Sequence, residues 1–296
     1  MGDEHLQPDS LTPLQAELDA LGTTGDSGRA PSIAPPGSPP FGPVVRFDRV
    51  SIAFSGRPVL EEVSFSVERG QTLCILGRSG VGKSVSLRMM MGFLRPDSGS
   101  IAIEGRELAS LDEEGLRALR KRVTMVFQNG ALFDSMSVRE NVAFPLRERG
   151  GLDDEQIDRL ADQLIALVGA EDVAEALPAS LSTGRKRAVA MARALAAQPE
   201  VVLYDEPTTM VDPLIARRLG GLIARLKQQL GFTSIVVTHD TRIARQLADT
   251  VLFLHEGRAL FFGPLPEFLA AKDAEIQRFL RLDAYRLPMK NPGHAS

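Results

Sequence analysis

The chain has 296 residues, 44% hydrophobic and 24% charged, which fits a globular protein with room for one large α/β domain or two small ones. A formal net charge of −4 gives no basic surface to suggest nucleic acid, and the single cysteine, Cys74, excludes a disulfide framework and fits a reducing compartment. No apolar run approaches the roughly 20 residues of a membrane span, and the polar start MGDEHLQPDS lacks the basic and apolar regions of a secretory signal. Any membrane spans must therefore come from other chains.

Residues 1–43 read as a disordered leader. GTTGDSGRAPSIAPPGSPPFGP is dense in Gly, Ser and Pro and has too little apolar surface to offset its ordering entropy. Before it, LTPLQAELDAL has the pattern of a short amphipathic helix. From Val44, VVRFDRVSIAF and VLEEVSFSVERG alternate apolar and polar residues, as half-buried antiparallel strands do. TLCILG is a short continuous apolar run, a buried strand feeding a loop, with Cys74 as a small core residue. SVSLRMMMGFL follows with helical character. Residues 130–194 read mostly as helix, through DDEQIDRLADQLIALVGA and GRKRAVAMARALAA. VVLYDEP and SIVVTHD are two further buried strands, and VLFLHEGRALFFG closes as a hairpin. Residues 271–296 hold a last helix and a tail, disordered from Pro288. Strands alternating with helices predict a parallel sheet flanked by helices, with the helix-rich middle, about 129–190, as an inserted subdomain.

GRSGVGKS, Gly77 to Ser84, matches G-x-x-x-x-G-K-[ST] between a predicted strand and a predicted helix. Gly77, Gly80 and Gly82 let the backbone wrap phosphate oxygens, and the helix N-terminus adds partial positive charge. Arg78, Ser79, Val81 and Val85 complete the loop and its exit. Lys83 is placed to reach the β- and γ-phosphates, and the Ser84 hydroxyl to bind Mg²⁺. VVLYDEP ends its strand in Asp205 and Glu206. Asp205 is expected to hold Mg²⁺ through water, and Glu206 to act as general base toward the attacking water.

With these two motifs in place, residues 44–270 resemble the ATP-binding cassette (ABC) family, whose parts occur here in the family's order. The resemblance implies a P-loop nucleoside-triphosphatase core with an antiparallel β subdomain and an inserted α-helical subdomain, and ATP and Mg²⁺ as cofactors. It implies that Phe54 stacks on adenine, worth about 1–3 kcal/mol by analogy with base–aromatic stacking. Gln128 occupies the position of the glutamine that touches Mg²⁺ and senses the transporter. LSTGR, Leu181 to Arg185, occupies the signature position, with Ser182 and Gly184 facing nucleotide. Asp212 in TMVDP matches the family's D-loop aspartate, and His239 in VVTHD its switch histidine. His5, His255 and His294 share no metal-ligand spacing.

The family pattern implies two cassettes facing head to tail, each ATP held between one subunit's phosphate loop and the other's signature motif. It implies a homodimer bound to integral membrane permease subunits, peripheral to the cytoplasmic face of the inner membrane. One departure is that the usual LSGGQ reads LSTGR here. A Cβ at Thr183 would restrict a backbone that must approach phosphate, which predicts slow hydrolysis or an adjusted loop, although Lys83, Glu206 and His239 are all retained.

Asn129–Glu148, NGALFDSMSVRENVAFPLRE, resembles the ATPase of Mla-type transporters, which move phospholipids with an MCE-type substrate-binding protein, as does the C-terminal GPLPEFLAAKDAEIQRFLRLDA. The expectation is therefore lipid transport. The alternatives are the ATPase of a small-solute importer, or a catalytically weak or non-transport ABC ATPase. Against a repair-type protein, Gln128 and Ser182 are only 54 positions apart, with no heptad run between them. No Asn-Lys-x-Asp motif for guanine is present.

Overall fold

The computed structural model describes residues 42–284. The LTPLQAELDAL segment and the tail from Pro288 lie outside the described residues.

The first half-buried strands, β1 (Val45–Phe54) and β2 (Arg57–Val67), pair antiparallel. Their ladder shifts register three times, and the first two shifts interrupt the buried alternation. Along β1 the buried positions jump from Phe47 to Val50 while the partners step only from Phe65 to Val63, and Arg49 has φ 47°. This is a β-bulge, one extra residue on one strand. A second follows on β2, where the step from Val63 to Leu60 faces Val50 to Ile52, with Glu62 at φ 50°. The two bulges bend the ladder while keeping Val45, Phe47, Val50, Ile52, Leu60, Val63 and Phe65 on the buried face. β4 (Ser98–Ile103) and the two-residue β5 (Arg106–Glu107) complete a sheet of order β2-β1-β4-β5.

The second sheet has order β10-β9-β3-β8-β7-β6. Its strands β3 (Thr72–Leu76), β6 (Val123–Val126), β7 (Val201–Asp205), β8 (Thr233–Thr238) and β9 (Thr250–His255) run parallel, and β10 (Arg258–Pro264) returns antiparallel as the expected hairpin. Both faces are covered, which is why these strands read as continuous apolar runs. In β3, Cys74 and Leu76 enter one hydrophobic cluster and Leu73 and Ile75 the other. The cluster around Leu73 lies between the two sheets with α1 (Lys83–Met90) and α2 (Glu113–Arg122). The other lies under the helices that fill the rest of the chain.

Between Gln128 and Ser182 stand α3 (Val138–Arg149) and α4 (Asp154–Leu167), each opened by a capping box, Ser137 with Glu140 and Asp153 with Gln156. They pack on each other and on α5 (Thr183–Ala196). α6 (Pro213–Leu230) and α7 (Thr241–Leu247) cover the sheet, and α8 (Leu265–Ala270) and α9 (Ala274–Ala284) close the described chain. Among the described residues no helix is long and apolar enough to cross a membrane.

Candidate nucleotide site

The phosphate loop leaves β3 and enters α1. Gly77 has φ 152°, and a Cβ there would lie 2.5 Å from the Leu254 carbonyl oxygen. Gly82 caps α1 with φ 102°, and a Cβ there would meet Leu60 Cδ2 at 2.5 Å and Val59 O at 2.9 Å. Both positions require glycine through conformation and close approach together. Arg78, Ser79 and Gly80 form the exposed crest, and Val81 and Val85 pack against the inter-sheet cluster.

Lys83 is 5% exposed. Its Nζ donates to the carbonyls of Gly77 (2.9 Å) and Arg78 (3.1 Å) and lies 3.4 Å from Glu206 Oε1. Burial pushes the ammonium below its ordinary value, with the Glu206 and Asp205 charges opposing. Ser84 Oγ donates to Asp205 Oδ1 at 2.8 Å. Burial raises the Asp205 carboxyl above the usual range, and the Ser84 hydrogen bond pulls the other way. This hydroxyl–carboxylate oxygen pair beside the phosphate loop suits a small hard cation such as Mg²⁺.

Glu206 sits one residue past the strand, with its N–H donating to Val237 O (2.9 Å) and φ at 48°. A left-handed backbone at a non-glycine residue costs on the order of 1 kcal/mol and clusters at functional sites. Its Oε2 accepts from Thr209 Oγ1 (2.9 Å) and lies 2.9 Å from His239 Nδ1. Burial alone would raise this carboxyl, but the His239 hydrogen bond and charge, the Lys83 charge and Thr209 outweigh it, so the net shift is downward. One carboxylate thus joins three elements: the phosphate loop through Lys83, its own turn through Thr209, and the end of β8 through His239.

Other predicted residues lie outside this cluster. Phe54 ends β1 and is 43% exposed, an open aromatic face. Gln128 follows β6, exposed, with no hydrogen bond to Ser84 or Asp205. Ser182 caps α5, accepting from Arg185 N at 3.4 Å. A Cβ at Gly184 would lie 2.8 Å from Ile215 Cγ2, so the signature helix and α6 meet there. Asp212 caps α6, accepting from the N–H groups of Leu214 (2.9 Å) and Ile215 (3.0 Å). Thr183 is the exposed first residue of α5 and has no positive φ, so its own backbone conformation does not call for glycine. Arg185 is turned away into a bidentate pair with Asp172, both contacts at 2.8 Å.

Two structural residues escaped the sequence reading. Arg187, 3% exposed on α5, donates from Nη1 to Pro207 O (2.7 Å) and from Nη2 to Thr209 O, so it fixes the turn that carries Glu206. Its only sequence signal is its place in GRKRAVAM, beside alanines and valine that face the core. Asn141, fully buried, donates from Nδ2 to the carbonyls of Phe133, Met136 and Ser137 and accepts from Phe133 N at 2.8 Å. It pins the GALFDS loop, leaving Phe133 42% exposed with Arg193 over its ring at 5.6 Å.

A family model described as ABC transporter matches residues 60–209. The chain belongs to the ABC transporter family. The cassette is 40% identical over 237 residues to the methionine import ATP-binding protein MetN of Mesorhizobium japonicum, covering 80% of this chain and 65% of that protein. It is 42% identical over 233 residues to the MetN of Rhizobium johnstonii, covering 79% and 64%. The chain thus spans just under two thirds of the length of these relatives. Among solved structures, it matches a dimeric ATP-binding cassette in a post-hydrolysis state with ADP and Pi at TM-score 0.68 and 29% identity, covering 75% of this chain and 98% of that one. It also matches a subunit of the cbiONQ ABC transporter complex of Clostridium perfringens at TM-score 0.72 and 29% identity, covering 83% and 96%. The α/β fold is that of a P-loop nucleotide-binding domain. The two sequence relatives are named methionine import ATP-binding proteins and do not support the phospholipid assignment expected from Asn129–Glu148.

Proposed function

We propose that this chain hydrolyses ATP as a peripheral subunit of an ABC importer for a small polar solute of the amino-acid class. The observation that carries the hydrolytic reading is the Glu206 carboxylate, held by His239 and Thr209 beside Lys83 and next to the Ser84–Asp205 pair. The sequence similarity to methionine import proteins supports the solute class over a lipid.

The incoming phosphates compete for Lys83, whose ammonium is shared among two loop carbonyls and Glu206. Taking Lys83 onto phosphate frees one Glu206 oxygen to orient the attacking water and accept its proton. His239, on the same carboxylate, holds it in place and would meet the γ-phosphate. Mg²⁺, held by Ser84 and Asp205 with Gln128 brought in on closure, would neutralise phosphate charge. Ser182 and Gly184 would meet the ATP of the second copy in a homodimer, and Phe54 would stack on adenine. Integral membrane permease subunits would dock by the exposed aromatic surface at Phe133, at the cytoplasmic face of the inner membrane.

A second reading rests on sequence: Asn129–Glu148 resembles the Mla-type ATPases, with MCE-type partners and phospholipid cargo. One experiment separates the two. The tagged chain is purified from its native membranes in mild detergent, and its permease is identified by mass spectrometry. ATPase of the reconstituted complex is then measured with methionine and its solute-binding protein, and separately with phospholipid vesicles. Stimulation by the amino acid supports the importer. An MCE-type partner with bound phospholipid and no response to amino acids would replace that reading with lipid transport.

A further inference from the structure

α6 and α7 pack side by side and form an unusual surface for an acidic chain. Over Pro213–Leu230 and Thr241–Leu247 they carry Arg217, Arg218, Arg225, Lys227, Arg242 and Arg245, and no Asp or Glu. Lys227 is neutralised by Asp249 and Arg242 by Asp240. Arg217, Arg218, Arg225 and Arg245 are exposed and have no ion-pair partner among the described residues. On α6 the positions 218, 221, 225 and 228 lie along one face at helical spacing, so the arginines border Gly221 rather than surround the helix. Beside them a cleft of about 300 Å³ runs between the helices. It is lined by the apolar Ile223, Ala224 and Leu247 and by Thr72, Lys227, Gln228 and Gln246, and the four arginines stand outside this lining.

The complementary chemistry is in the chain itself. Residues 1–28 contain Asp3, Glu4, Asp9, Glu17, Asp19 and Asp26 and no Lys or Arg, a formal charge of −6. With the whole chain at −4, the remainder carries +2. Within this acidic stretch Leu11, Leu14, Leu18 and Leu21 recur at three- and four-residue spacing, one apolar stripe on a helical period. Glu17 and Asp19 flank the stripe. From Leu21 to Gly42, where the described structure begins, the intervening chain spans roughly 25 Å as a coil and about 70 Å when extended.

We propose that the acidic leader of this chain, Leu11–Leu21 at its centre, docks on the α6–α7 face, its leucines in the cleft and its carboxylates on the four unpaired arginines. The apolar stripe matches the apolar side chains of the cleft, and the leader's negative charge matches two helices that carry no acidic residue. Because the arginines are exposed, the contact is strongly screened by salt. α7 begins directly after His239, so the docked leader lies against the helix that carries the end of the catalytic strand.

The test uses the full-length chain with Ala16→Cys and Gln229→Cys, spin-labelled, the fully buried Cys74 being out of reach of the reagent. Electron–electron distance measurements are made at about 0.05 M and about 0.5 M salt, conditions that straddle strong and weak screening. The expected result is a narrow short-distance component at low salt that is lost at high salt. It is also lost when Arg217, Arg218, Arg225 and Arg245 are changed together to Gln, with helical circular dichroism unchanged. A broad distribution at both salt concentrations overturns the proposal. So does arginine-dependent binding of phosphatidylglycerol vesicles that is equal for the full chain and for a chain lacking residues 1–28, which assigns the face to a lipid surface. If the four-fold variant unfolds, the salt series on the unsubstituted surface decides alone.

Discussion

Arg187 is the residue whose replacement tests how the turn that carries Glu206 is held. Its guanidinium is buried, it donates to Pro207 O at 2.7 Å and to Thr209 O, and the loop it clamps carries Thr209 Oγ1 onto Glu206. Arg187→Leu fills similar space with apolar atoms but leaves two carbonyl oxygens without donors. Each orphaned buried acceptor costs about 1–3 kcal/mol. Part of this is recovered because burial already disfavours the guanidinium charge, the reason its ionisation is pushed down. A net loss of about 2–4 kcal/mol follows, or roughly 5–10 °C in Tm for a domain of this size. The turn then loosens around Glu206, so kcat falls by about tenfold or more while nucleotide affinity, set by the phosphate loop, changes little. Arg187→Lys keeps the charge but reaches one carbonyl only, and falls between the two. Scanning calorimetry and steady-state ATPase assays with nucleotide-binding titrations read all three quantities. A Leu variant that melts within about 1 °C of the parent and hydrolyses ATP within about twofold would refute the reasoning.

Glu206→Gln keeps the Thr209 hydrogen bond but removes the proton acceptor, so ATPase turnover falls by about 10²–10⁴ with ATP binding retained, as rapid-quench and filter-binding assays would show; turnover above a tenth of the parent's would move the base elsewhere. Thr183→Gly changes ATPase rate by less than about threefold, because Thr183 already has an ordinary helical backbone and glycine there costs only about 0.5–1 kcal/mol of local helix stability; a large rescue would restore the restriction predicted from sequence. The Glu200 carboxyl, which burial raises but a hydrogen bond shared with the Glu104 carboxyl and hydrogen bonds donated by Arg69 and Arg122 pull down to about 2, contributes stability that is fully present above its unfolded value of 4.5 and is lost as pH falls toward 2. After allowance for the exposed arginines, Glu200→Gln costs about 1–2 kcal/mol at neutral pH and less near pH 3 in urea titrations, and an equal loss at both would contradict this.

The parts that were legible in the sequence are those where one segment fixes both conformation and chemistry. Gly77 to Ser84 could be read because glycine spacing, the strand before it and the helix after it all constrain the same eight residues, and the structure brings Lys83 and Ser84 to Glu206 and Asp205. The buried strands β3, β7 and β8 could be read because being covered on both faces forces an unbroken apolar run. β4, β5 and β6 could not: β6 has four residues and β5 two, too short for a period to show, and β4 opens with Ser98, Gly99 and Ser100, which carry no apolar signal. The two bulges in β1 and β2 were invisible for a related reason, since an alternation broken by one residue resembles an imperfect strand until the partner's register is known. Arg187 shows the limit most clearly. It stands in a run of three cations, Arg185, Lys186 and Arg187, of which Arg185 pairs at the surface with Asp172 and Arg187 turns inward to Pro207 and Thr209. Nothing local separates them. What does is the position of a turn 20 residues away along the chain, which is known only once α5 has packed against the end of β7. The resemblance at Asn129–Glu148 follows the same logic. Asn141 spends its side-chain hydrogen bonds inside its own loop, so part of that segment is dictated by the need to hold Phe133 in place, a demand of packing that carries no information about what a permease moves.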